Sequence, residues 1–134
     1  MSRAFLDTNV LLYSLARGDP RQAVATKLLA QGGAISVQVL NEFASVAYRK
    51  LKLSWPEVAK ALADVRALCG PPAPLSVATH ETAVRLAARD GFAFYDALIV
   101  ASALEANCCT LLTEDMQHGR VIEARLTLRN PFRP

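Results

Sequence analysis

An apolar segment that runs straight into a carboxylate constrains this chain most. Ala4, Phe5 and Leu6 lead into Asp7, and the apolar run Val10, Leu11 and Leu12 begins just beyond it. That pattern predicts a short buried strand handing Asp7 to a strand-to-helix turn. In open α/β sheets, ligands bind beyond the carboxyl ends of the strands, where loops leave side chains free. Asp7-Thr8-Asn9 equally reads as a helix N-cap cluster, which alone needs no function. Three more acidic residues in similar settings tip the reading toward a site.

Taken in order, the chain alternates. A short helix over Val10 to Leu15 stops near Gly18, and Asp19-Pro20 opens a second that ends at Gly32-Gly33. Ala34 to Val37 is a candidate strand, followed by a helix from about Gln38 to Leu51. On that helix Glu42 lies about 40° from Val46, at the border of the apolar stripe. A carboxylate there needs a partner, since an uncompensated buried charge is costly. It reads as a site residue or as a snorkelling or lysine-paired glutamate.

Ser54-Trp55-Pro56-Glu57 is a capping box that opens a helix to about Leu68. Gly70-Pro71-Pro72-Ala73-Pro74 is punctuation inside one domain spanning 1–134, because too little chain follows for a second core. Leu75-Ser76-Val77 predicts a third strand, and Thr79 a cap for a helix ended by Asp90-Gly91. Tyr95 to Leu104 is apolar on nearly every side and should be enclosed. Asp96 begins it, as N-cap or as site residue. Cys108 to Thr113 then repeats the opening pattern, an apolar strand ending in acid at Glu114-Asp115. Arg125 to Arg129 alternates as a half-exposed final strand.

Strands alternating with helices predict an α/β fold of three layers, α/β/α. Its central parallel sheet has about five strands in the order 3-2-1-4-5, with helices on both faces. In that order Asp7 and Asp115 end adjacent strands, and Glu42 and Asp96, early on helices, converge on the same spot. Four carboxylates within about 5 Å repel by roughly 3 kcal/mol per pair at an effective dielectric of about 20. Such a cluster requires counter-charge. Oxygen-only ligands without His or Cys suit Mg²⁺ or Mn²⁺ rather than zinc. The chemistry expected is metal-dependent phosphodiester hydrolysis by activated water, with no covalent enzyme intermediate.

Composition sets the surroundings. The net charge is +3; with four of the 12 acidic residues withdrawn into one pocket, 15 basic residues face eight acidic ones, a net +7. An acidic hollow in a basic surface suits a polyanion handled through bound cations, although a merely soluble basic surface has the same totals. No stretch is long and apolar enough to span a bilayer, so no membrane association is expected. A carboxylate arrives before any signal-peptide core could form, and the three cysteines make no disulfide framework or C-x-x-C pair. The expectation is a cytoplasmic protein.

At this point the residues resemble a PIN domain, specifically the VapC-like ribonuclease toxins of prokaryotic toxin–antitoxin pairs. The matching stretches are Leu6 to Leu11, Ser36 to Phe43, Tyr95 to Ile99, Leu111 to Gly119, and the ending Asn130-Pro131-Phe132. The resemblance implies that Asp7, Glu42, Asp96 and Asp115 form a catalytic, metal-binding quartet for Mg²⁺ or Mn²⁺. Thr8, Asn9 and Thr113 would be supporting polar residues, or only cap and turn residues. Glu114 either adds a fifth carboxylate or points away along the strand's alternation. His118 reads as an exposed loop residue. The resemblance further implies an RNA substrate, a cognate antitoxin whose tail blocks the acidic pocket, and a homodimer.

Other classes fit less well. A haloacid-dehalogenase-type phosphatase needs a second aspartate where this chain has Asn9, and a receiver-type switch needs paired acids before its strand-end aspartate. There is no G-x-S-x-G for serine chemistry. A non-catalytic PIN-fold binding module and a housekeeping RNA-processing nuclease remain the alternatives.

Overall fold

In the computed structural model, which describes residues 3–134, the predicted opening strand is β1, Phe5–Leu6. Met1 and Ser2, the start of the predicted 1–134 domain, lie outside the described residues. β1 pairs in parallel with β2 (Thr110–Leu112), which pairs in parallel with β4 (Leu126–Arg129). Consecutive residues of a strand face opposite sides of the sheet. Phe5 and Leu6 are both buried, as are Leu111 and Leu112. The centre of the sheet is therefore covered on both faces, as a parallel sheet requires.

On the far side of β1 the sheet continues only as single bridges, Phe5 to Ala34 and Ser36 to Ala73. Read outward through them, the order is the predicted 3-2-1-4-5, but two of the expected strands are reduced to bridges. The third pairs at Ala73 and not over Leu75 to Val77, because Ser76 already caps the next helix. A further strand, β3 (Val121–Ile122), pairs antiparallel with β4 at the other edge. The sequence did not signal it: Glu123 and Ala124 turn the chain at positive φ of 52° and 56° without glycine.

Among the described residues six helices surround the sheet: α1 (Thr8–Tyr13), α2 (Arg21–Ala30), α3 (Val37–Arg49), α4 (Trp55–Cys69), α5 (Val77–Asp90) and α6 (Phe94–Glu105). α1 to α4 pack among themselves, while α5 lies along α6, which also touches α3 and β2. The capping box opening α4 forms as predicted, with Ser54 and Glu57 exchanging hydrogen bonds. At α5 the cap is Ser76, with Thr79 answering from the third position; Thr79 itself is buried. α6 buries every residue from Ala97 to Leu104, which matches its lack of a polar face.

α2 turns Ala25 and Leu29 inward, whereas Val24 is exposed. One glycine fixes the approach of α2 to the sheet. A Cβ on Gly33 would lie 2.5 Å from the Leu6 side chain, so only glycine lets this segment close against β1. Among the described residues no helix is long and apolar enough to cross a membrane.

Candidate active site

The turn from β1 into α1 fixes Asp7 through both of its oxygens. The Thr8 backbone N–H donates to Oδ1 at 2.7 Å, and the Thr113 hydroxyl donates to Oδ2 at 2.6 Å. The neighbouring position of β1 and β2 makes the second bond possible, since Asp7 N–H also donates to the Leu112 carbonyl. Asp7 is buried, and burial above all pushes its carboxyl up from 3.8 to about 6. The two hydrogen bonds oppose that rise, and the charges of Asp96 and Glu42 add to it.

Glu42 arrives from the second turn of α3, at the half-buried border predicted for it. Its partners are neutral. The Thr8 hydroxyl donates to Oε1 at 3.2 Å and the Gln38 amide to Oε2 at 2.8 Å. Neither the lysine partner nor the snorkelling position is what the structure shows. Asp96 occupies the third position of α6, not its cap; Ala93 is the N-cap and makes no side-chain bond. The Asp96 carboxyl is raised, first by burial and then by the charges of Glu42 and Asp115. Asp115 is exposed on the loop after β2, and its backbone N–H donates to the Thr113 hydroxyl at 3.3 Å.

Electrostatic coupling therefore runs through all four acids, and two threonines link three of them: Thr8 bonds Asp7 and Glu42, while Thr113 bonds Asp7 and the backbone of Asp115. None of the four joins an ion pair among the described residues, although Asp19, Asp64, Asp90, Glu114 and Glu123 all do. Two residues along the chain from Asp7, both side-chain polar atoms of Asn9 are buried without a hydrogen-bond partner. A buried amide without a partner has a donor and an acceptor free for an ion's water. The oxygen-rich set fits a hard divalent cation in donor chemistry. Among the described residues, however, no three His, Cys, Asp or Glu side chains already stand at ligand spacing around one point.

Glu114 turns elsewhere. It accepts a hydrogen bond from the Tyr13 hydroxyl and pairs with Arg21 at 3.0 Å, so it braces the loop that carries Asp115. His118 is exposed, and its Nδ1 accepts the Asn130 backbone N–H at 3.0 Å. Gln38 escaped sequence reasoning. Its signal was the i, i+4 spacing to Glu42 on one helix face. Tyr13 and Arg21 escaped it for want of any local signal, lying 101 and 93 residues from Glu114.

Comparison with known proteins follows the geometry. A search of curated proteins gives no match. Among solved structures the fold is similar to that of VapC20 from Mycobacterium tuberculosis, described as a sarcin–ricin loop cleaving toxin. That likeness has a TM-score of 0.66 at 21% identity, covering 84% of this chain and 89% of that one, and concerns the fold. The family model described as PIN domain matches residues 4–123, a span that holds all four clustered acids. With its parallel-centred sheet, six helices and that match, the chain belongs to the PIN domain family.

Proposed function

We propose that this chain is a metal-dependent ribonuclease that hydrolyses RNA phosphodiester bonds at Asp7, Glu42, Asp96 and Asp115, with Mg²⁺ or Mn²⁺ as cofactor. One observation carries the reading: Asp7 and Asp96 feel the charges of their fellow acids, both have raised pKa, and no cationic side chain among the described residues pairs with any of the four. A purely structural cluster of acids would be destabilising without a counter-charge. A divalent ion bound there would neutralise charge on the phosphate and make water a better nucleophile. Asp7 and Glu42 are oriented by neutral donors rather than by a cation, so each has further lone pairs for ligation. Asp96 and Asp115 accept no side-chain hydrogen bond from the described residues, which leaves their oxygens to the ion, water or substrate.

The likeness to VapC20 supports RNA as the substrate. The family resemblance extends the proposal to the toxin of a toxin–antitoxin pair, a cytoplasmic homodimer whose cognate antitoxin covers the acidic hollow. The test is cleavage of structured RNA with Mg²⁺ or Mn²⁺, compared with EDTA. Asp7→Asn and Asp96→Asn should each lower the rate by about 100-fold or more, with unchanged circular dichroism. Full cleavage in EDTA, or by both variants, would overturn the mechanism.

A further inference from the structure

A groove of about 520 Å³ leads away from the carboxylates along α3. Glu42 and Gln38 line its near end, Asn41 and Ser45 follow, Arg49 stands at the far end and Tyr95 faces them from α6. Because Glu42 belongs both to the groove and to the acidic cluster, the groove opens directly from the site. Arg49 lies seven residues beyond Glu42, which places it about 20° away around the helix and about 10 Å along its axis. Its Nε donates to the Ser45 hydroxyl at 3.1 Å, and it joins none of the ion pairs among the described residues.

Tyr95 immediately precedes Asp96 and is 63% exposed. Its ring is backed by Phe94, at 5.8 Å between centroids, and Phe94 in turn meets His80 edge-on at 5.6 Å. The groove thus offers a supported aromatic face, a cation held by a hydroxyl, and the exposed Asn41 amide. An open ring stacks on a nucleobase of any identity, and a guanidinium matches a phosphate in shape and charge. Bases inside a duplex present no free face, so the match is to unpaired nucleotides.

We propose that this groove is a subsite for single-stranded RNA: Tyr95 stacks on an unpaired base next to the cleaved bond, and Arg49 holds a backbone phosphate further along. The assignment rests on the ribonuclease reading and names the form of substrate that reading takes. Its volume falls within the range of small-ligand sites, enough for a nucleotide.

The test uses a labelled single-stranded RNA hexamer and the full chain. Tyr95→Ala should raise KM about tenfold while kcat moves by less than about twofold, and Tyr95→Phe, which keeps the ring, should restore KM. Arg49→Gln should raise KM and flatten its salt dependence. In EDTA the added indole of Tyr95→Trp should be quenched by the hexamer and not by inorganic triphosphate, which has no base to stack. An unchanged KM in Tyr95→Ala together with no quenching overturns the subsite, while cleavage by the wild type leaves the nuclease reading intact. Quenching without cleavage in any metal keeps the subsite and removes the nuclease reading. Neither quenching nor cleavage removes both.

Discussion

At the scale of one residue, burial makes the charge of Asp7 costly. Its carboxyl sits at about 6 because burial disfavours the charged form, and two hydrogen bonds only partly compensate. A raised pKa means the folded state holds the proton more tightly than the unfolded chain. The stabilisation is complete below the unfolded value near 3.8 and is lost as pH climbs through about 6. Above that window the ionised group costs of the order of 2–3 kcal/mol. In EDTA, Asp7→Asn should therefore melt several degrees above wild type at pH 8, with the gap closing toward pH 4. Thermal melts at the two pH values decide it. A variant less stable than wild type at pH 8 would show that the Asp7 charge is already compensated.

The loop between β2 and β3 shows how the elements divide the work. Thr113 faces the acidic cluster, Glu114 faces away, and Asp115 returns toward Asp96. The outward residue is the brace. Arg21 from α2 lies over the Tyr13 ring of α1 at 4.1 Å, pairs with Asp19 at 2.8 Å and reaches Glu114, while Phe132 meets Tyr13 edge-on at 4.9 Å. Within this group the Tyr13 hydroxyl is pushed up to about 12, by burial first and then by Glu114, so it remains a donor. Arg21 is 41% exposed, so its solvent-screened ion pairs add little stability. Their effect should instead appear in where Asp115 stands. Glu114→Ala should cost about 1 kcal/mol in stability yet weaken Mn²⁺ binding by about tenfold or more, as outer supports of metal ligands do. Calorimetric titration with Mn²⁺ measures this, and wild-type affinity in the variant would show that the brace is irrelevant to the site.

Across the whole molecule, charges are sorted by place. Five acids outside the cluster are matched by arginine or lysine, and the cluster is matched by none among the described residues. What remains is a basic exterior, net +7 once the four are set aside, around an acidic hollow. A polyanion is drawn to the exterior, and the hollow repels it until a cation enters. If three to four phosphates are neutralised on single-stranded RNA, affinity should fall about 20- to 50-fold between 50 and 200 mM salt. Fluorescence anisotropy with the cleavage-deficient Asp96→Asn variant reads the slope. Affinity indifferent to salt would mean that the basic surface is not where RNA lies.

The features legible in the sequence are those whose physics closes within a few residues. Ser54 and Glu57 satisfy each other's orphan backbone groups three positions apart, so α4 begins where the capping box says. α6 is enclosed because no face of it is polar, and β1 delivers Asp7 because an apolar run ends there. The four acids could be nominated since each stands at a strand end or early in a helix. One local signal was misplaced in the sequence alone: Ser76 reads as part of a strand and Thr79 as the cap, whereas the fold gives the cap to Ser76 and buries Thr79. Partnerships across the fold were settled only by tertiary structure. Glu114 belongs to Tyr13 and Arg21, Thr113 joins Asp7 across 106 residues, and two expected strands shrank to bridges at the sheet's edge. The chain fixes the directions of side chains along each element, but the meeting of elements depends on burying their apolar faces together. Which acids share charge and which find a cation follows from that packing alone.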